Sequence, residues 1–427
     1  MYLNKVFKNA GILASGDFIA AVLGFISFGI IGRSLGVEGL GSFSVIVTYV
    51  TLVDKFVNFQ SWQALIKYCS KLKVDNKDYN SIQLLSFGLL IDIISALLAF
   101  FISITLCSYL ADFFNWNNDY LNLIKLYSIV ILFNIEGTPT AIFRIRNKFW
   151  YFSEKAVIIS IIKLILFAFV WLFSSEISNY LYATMLAQMI GYSYFLFNSF
   201  KYVSLTPFRY FIKDNVKLIL SKNPNFLSFI FTTNIQTSLK LTTSLVDTLV
   251  VSKFIGNSAV GILQVTKQFS KIFTQVSSPL YKSIYPELAS LWELNKIVEF
   301  KNLIKKSIKY ATIFSFSIYF LFALFGKYII TSYVGFEFIN SYYLMLIYFV
   351  GIVIHVSTFP ISPAFLAMGL PKIPLKTTLV SSLTFLVCFY FIYEIFGYLA
   401  IGVSFAIMTI VWLLQNSIIF YYKMKNL

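Results

Sequence analysis

IIGRSLGVEGLGSF (30–43) and VVSKFIGNSAVGIL (250–263) lie 220 residues apart and align with one another. Gly36 falls on Gly256, Gly41 on Gly261, and Arg33 on Lys253. Each segment is a short polar step between two long apolar runs. The glycines suit a tight turn, because a residue without Cβ bends the chain where others clash. A second correspondence, at an offset of 224, sets Pro139 and Lys148 against Pro363 and Lys372. Self-similarity at a fixed offset is the mark of a duplicated unit, so the chain is expected to hold two copies of one architecture.

The runs around these segments decide the class. Of 427 residues, 58% are hydrophobic and 12% charged, where a soluble domain carries about 25% charged residues. A globule of this size has too little interior to hide that much apolar surface. An aromatic content of 19% excludes disorder. About 20 apolar residues cross a bilayer core, and twelve such spans are expected at 10–31, 42–66, 82–106, 120–143, 155–174, 179–200, 224–251, 258–284, 308–330, 338–362, 375–396 and 399–421. The expected fold is an all-α integral membrane protein. Its twelve transmembrane helices form two six-helix lobes, 1–200 and 224–427, joined by a basic cytoplasmic linker, 201–223. Six is even, so both lobes enter from one side and are related by an axis along the membrane normal.

Charge sets the direction. One set of loops holds 25 of the 34 cations, and the alternate set only Arg33, Lys253 and Lys327. The positive-inside rule makes the first set cytoplasmic, with both termini inside. The basic excess is thus topogenic and does not point to nucleic acid. The inner connections 201–223 and 285–307 are basic and weakly amphipathic, and are expected to lie on the membrane surface. The first apolar run contains Asp17 and continues to Ile31 with no cleavage site, unlike a removable signal. Cys69, Cys107 and Cys388 form no CxxC, and His355 is the single histidine. No disulfide framework, metal set or cofactor is expected. His355, near Pro360, suits a packing role.

Polar residues recur at helical spacing inside the spans. Ser44, Thr48, Thr51, Lys55 and Asn58 share one face of the second span. Gln264, Gln268, Lys271, Gln275 and Ser278 repeat that spacing in the eighth, at the same offset of 220. Thr233, Gln236, Lys240, Thr243 and Asp247 line the seventh, and Asp17 lies in the first. A lysine or aspartate facing lipid costs at least about 2.5–3.5 kcal/mol. These faces are therefore expected to line a hydrated central cavity. The alternative is hydrogen-bonded bundle glue, with Lys55 or Lys267 reaching an interface. Asp54 is not expected to share the face of Lys55. Asp92 and Lys163 are expected to pair or to sit near a helix end. Glu136 precedes Gly137 and Pro139, which should break the fourth helix and leave carbonyls unpaired. A carboxylate there can hold a proton or a cation.

The duplication, the segment GRSLGVEGLGSFSVIVTYV, its partner SKFIGNSAVGILQVTKQFSKIFTQVSSPLYKSIYPELASL, and PAFLAMGLPKIPLK (363–376) together resemble the Wzx-type polysaccharide-unit flippases. These belong to the multidrug/oligosaccharidyl-lipid/polysaccharide exporter superfamily. The resemblance implies a non-enzymatic carrier in the bacterial inner membrane. Its cargo would be undecaprenyl-pyrophosphate-linked oligosaccharide for O-antigen, capsule or related glycan. Membrane lipids, and polymerase and chain-length proteins of the same pathway, are the implied partners. Such a head group needs cations for phosphate and amides for sugar. Lys55, Lys240, Lys267 and Lys271 are the phosphate candidates, and Gln236, Gln264, Gln268 and Gln275 the sugar candidates. Asp17, Asp247 and Glu136 are the candidates for coupling to H⁺ or Na⁺. Family members with arginines in the cavity differ from this chain, whose stripes carry lysines that lack a fork for bidentate phosphate binding. The rival readings are a multidrug or cation antiporter of the same superfamily and a membrane glycan polymerase or glycosyltransferase. The cationic stripes oppose the first. The absence of a long outer loop opposes the second.

Overall fold

The computed structural model describes residues 2–74, 78–203, 213–242, 245–370 and 372–425. Side chains of 1–10, 70–79, 213–215, 236, 239–242, 273–283 and 425 fall outside that description. Among the described residues the regular structure is helical: α1 Tyr2–Val57, α2 Trp62–Val74, α3 Asp78–Phe114, α4 Asn118–Tyr127, α5 Val130–Phe133, α6 Gly137–Ile145, α7 Trp150–Phe173, α8 Ile177–Phe200, α9 Lys213–Lys222, α10 Phe226–Thr242, α11 Val246–Phe254, α12 Asn257–Glu293, α13 Ile297–Val334, α14 Ile339–Ser357, α15 Ile361–Ala367, α16 Lys372–Phe396 and α17 Leu399–Lys425. Among the described residues the twelve expected spans fall mainly on helix, with breaks inside the second, fourth and tenth. Eight helical segments of the described residues are long and apolar enough to cross a membrane. Their outer faces are greasy: Ile165, Phe169, Phe173, Phe391 and Ile395 are all more than 60% exposed. A soluble protein could not leave such a belt in water. The chain is an all-α, multi-pass membrane protein.

The first two spans run together as α1, interrupted at one residue. Gly36 takes φ 64, ψ −171 inside an otherwise helical stretch. Its counterpart Gly256 takes φ 109 just before α12. Both copies of the quoted segment therefore turn on a glycine in a region that an L side chain rarely enters. The fourth and tenth expected spans are also broken at matching points. Helix α6 starts at Gly137 and α15 at Ile361, again 224 residues apart.

The chain divides into two compact units. The first comprises Met1–Leu35 and Phe43–Leu249. There α3 packs on α2, α4, α5 and α6, α8 on α4–α7, and α10 on α2. Its core cluster joins Ala64, Leu65, Leu84, Phe87, Ile142, Ile219, Phe226 and Ile230. Ile219 belongs to α9, so the helical part of the 201–223 connection is anchored by burial.

The second unit comprises Gly36–Ser42 and Val250–Leu427. In it α17 lies along α14 and α16, and α14 packs on α12 and α13. The expected surface loop 285–307 is instead a helical hairpin. Helix α12 runs on to Glu293 and α13 begins at Ile297, with Asn295 at φ 55 in the turn. Leu288, Phe300 and Ile304 of this hairpin are buried with Ala364 and Met424. The apolar side of the amphipathic pattern found a protein partner there rather than the membrane surface.

Candidate functional site

Two spans of the first unit are discontinuous. The second stops at Val57 and restarts at Trp62, and the fourth stops at Phe133 and restarts at Gly137. Pro139 lies in the first turn of α6, where its missing N–H costs nothing. Each break frees backbone groups that have no water to bond with inside a membrane. Side chains from neighbouring helices meet them. Asn58 Nδ2 donates to the Asn134 carbonyl at 2.9 Å. The Gln60 N–H donates to Asn234 Oδ1 at 2.8 Å, and Ser238 Oγ to the Lys55 carbonyl at 2.6 Å.

Asp92 of α3 joins the two restarts. Its Oδ1 accepts the Ser61 N–H at 3.3 Å. Its Oδ2 accepts the Thr138 N–H at 2.6 Å and the Thr138 hydroxyl at 2.7 Å. The carboxylate is 1% exposed. The starts of α2 and α6, where backbone N–H groups concentrate positive potential, compensate its charge. Lys163, its expected partner, lies instead over the Phe167 and Phe43 rings, at 5.0 and 6.0 Å.

Beside this pin lies a balanced quartet of charges. Asp54 is buried, and its Oδ1 and Oδ2 accept Asn58 Nδ2 at 2.9 Å and Asn134 Nδ2 at 2.6 Å. Lys55 Nζ stands 3.6 Å from Asp54 Oδ2 with its side chain 28% exposed. Sequence neighbours were not expected to meet, but the helix ends at Val57, and near a helix end long side chains can curl back. Glu136 Oε1 accepts Lys155 Nζ at 2.6 Å, and Lys155 also lies 4.7 Å over the Phe195 ring. Tyr127, whose hydroxyl donates to Gln188 Oε1 at 2.8 Å, closes the polar zone toward α8. Asp92 is held by two short hydrogen bonds from Thr138 and a longer one from Ser61. Lys55 has one long ion pair and the most exposed side chain of the four charges.

The predicted residues fall in different settings. Glu136 stands at the helix break that its neighbours foretold. Asp17 is exposed on α1, and Asp247 sits in the first turn of α11, accepting the Thr248 N–H at 2.6 Å. Gln264, Lys267 and Gln268 are half-buried on α12, and Lys271 is exposed. The side chains of Gln236, Lys240 and Gln275 lie outside the described residues. His355 is packed 5.4 Å from Trp412, as a packing role requires. Sequence reasoning missed Asn134 and counted Lys155 only among the cytoplasmic loop cations, whereas it pairs with Glu136. Only the interruption at Glu136–Pro139 hinted that polar partners would gather there.

The fold, an α-helical membrane protein with interrupted spans and charges gathered at the interruptions, is shared with solved membrane proteins. An inward-facing multidrug resistance MATE family transporter of the MOP superfamily superposes with a TM-score of 0.77 at 13% identity, covering 95% of each chain. The lipid II flippase MurJ, in an inward closed conformation, gives 0.75 at 16% identity, over 95% of this chain and 86% of that one. Residues 6–292 match the model of the polysaccharide biosynthesis protein family, and the chain belongs to that family. A curated relative, the inner membrane protein YghQ of Escherichia coli (strain K12), is 21% identical over 290 residues, 67% of this chain and 81% of that protein.

Proposed function

We propose that this protein is a flippase. It carries undecaprenyl-pyrophosphate-linked oligosaccharide, an O-antigen or capsule repeat, from the cytoplasmic to the periplasmic leaflet of the bacterial inner membrane. Family membership and the fold shared with a lipid II flippase support a lipid-linked glycan as cargo. The observation that carries the reading is the quartet of Asp54, Lys55, Glu136 and Lys155 at the crossing of two interrupted helices. Buried charge of that kind is costly in a bilayer, and it marks a substrate or ion path.

In this reading both termini are cytoplasmic, and two lobes, 1–200 and 224–427, alternate access about the 201–223 linker. Lys55, Lys240, Lys267 and Lys271 hold the phosphates, and Gln236, Gln264, Gln268 and Gln275 meet the sugars. Lys55 leaves Asp54 for the diphosphate, a trade of one anion for another. Entry of H⁺ or Na⁺ at Asp17, Asp247 or Glu136 resets the cycle. For Glu136 that step requires the Lys155 pair to open.

Deletion of the gene should abolish the cell's surface glycan, and the intact gene should restore it. Lys240→Ala and Lys271→Ala should impair restoration at normal protein level. Full restoration by both would remove the phosphate assignment. Asp17→Asn, Asp247→Asn and Glu136→Gln together test coupling, and intact flipping in all three would end it. Multidrug or cation export is the second reading, favoured by the MATE likeness. A deletion strain with altered drug susceptibility and normal glycan would select it.

A further inference from the structure

Thirty of the 34 cations in this chain are lysines. Two of the four arginines lie in one five-residue stretch, RIRNK (144–148), formed by the last residues of α6 and the turn that leads to α7. Asn147 there takes the left-handed conformation, φ 57, and reverses the chain within a few residues. Arg144 and Arg146 are exposed and Lys148 half-buried. The Arg144 guanidinium lies 4.0 Å from the Trp62 ring and 5.7 Å from Phe152. The Lys148 ammonium lies 4.5 Å over Trp150 and 5.6 Å from Tyr202.

Among the described residues no carboxylate forms an ion pair with any of these three cations. Glu154, the acid nearest in sequence, is engaged by the Tyr194 hydroxyl at 2.6 Å. The start of α7 has no side-chain cap and no acid in its first turn. Its free N–H groups therefore add to the same positive field.

Lysine alone can satisfy the positive-inside rule, and apart from Arg209 it does so in the other cytoplasmic loops of this chain. A guanidinium is different. Arg144, exposed and 4.0 Å from the Trp62 ring centre, carries a planar, weakly hydrated set of N–H donors whose fork matches phosphate oxygens. Beside it, Phe143 stacks on Tyr151 at 4.4 Å, and the Tyr151 and Tyr202 hydroxyls stand 3.3 Å apart. Phe143 is buried, but Tyr151 and Tyr202 are part-exposed, and their faces and hydroxyls suit a sugar ring next to a phosphate. Three cations with no acid partner are enough to balance the two negative charges of a diphosphate esterified at both ends.

We propose that the α6–α7 turn is a docking subsite for the diphosphate head of the polyprenyl-linked substrate. Arg144 and Arg146 are its fork and Lys148 its third charge. The subsite lies on the polypeptide that leads from Gly137, two helical turns along α6, and so hands the head toward the quartet at the helix breaks. This proposal rests on the flippase reading, and it supplies the forked cations that the lysine stripes lack.

The test uses the full-length protein in nanodiscs of uncharged lipid. Undecaprenyl diphosphate is the probe in one arm and phosphatidylglycerol in the other. R144A/R146A should bind the diphosphate about tenfold or more weakly, the loss expected of charge-assisted hydrogen bonds. R144K/R146K keeps the charge and tests the fork: it should stay about threefold weaker than wild type. K296A, whose cation is exposed beside Glu299 at 3.4 Å, should bind as wild type. Wild-type affinity in R144A/R146A, full recovery in R144K/R146K, or equal weakening for phosphatidylglycerol would overturn the subsite and leave the flippase reading standing. Absence of diphosphate binding by the wild-type protein would overturn both.

Discussion

Gly137 and Asp92 are matched to each other: a Cβ on Gly137 would fall on the Asp92 carboxylate and within 2.7 Å of the Ser61 nitrogen. The bare backbone lets one buried carboxylate reach the starts of α2 and α6 together. Gly137→Ala should therefore push the carboxylate away and break the Thr138 and Ser61 bonds. The expected result is a lower thermal midpoint in detergent and poor restoration of flipping. A melting curve unchanged from wild type would disprove the close approach.

Asp92 should be the costliest single truncation in this region. Asp92→Ala leaves three buried donors with no acceptor, and a buried donor left unsatisfied costs about 1–3 kcal/mol. Asp92→Asn keeps one acceptor for Thr138 and should cost less. Reversible unfolding in mixed micelles gives both values. The idea fails if the alanine variant is as stable as wild type.

Glu136 and Lys155 should couple. Their side chains are 19% and 17% exposed, and they meet at 2.6 Å. A double-mutant cycle with Glu136→Gln and Lys155→Met is expected to give an interaction of about 0.5–3 kcal/mol. Independent effects would show that the contact adds nothing to stability.

The two copies of the glycine segment interlock with reciprocal geometry in the second unit. A Cβ on Gly41 would strike the Asn257 carbonyl, and one on Gly261 the Val37 carbonyl. Val37 and Asn257 are themselves equivalent at the offset of 220. Gly41→Ala and Gly261→Ala should each force two backbones apart and lower stability by similar amounts, about 1–3 kcal/mol. A large loss from one and none from the other would argue against the reciprocity.

The membrane class, the spans, the internal duplication and the break at Glu136–Pro139 were legible in the chain because they depend on local physics. Apolar run length, helical spacing and the backbone demands of glycine and proline act over a few residues. The hairpin at 285–307 was not legible as a hairpin, since its apolar face fits a bilayer surface as well as it fits Ala364 and Met424. Nor was the partner of Asp92: a carboxylate in an apolar run needs compensation, but nothing nearby says whether a lysine or two helix starts will supply it. Lys55 and Asp54 met only because α1 stops at Val57, and Asn134 and Lys155 joined them only through packing of distant helices. Sequence alone determined where charge must be satisfied. Tertiary structure decided by what, because most of those choices are made between residues 19 to 183 positions apart.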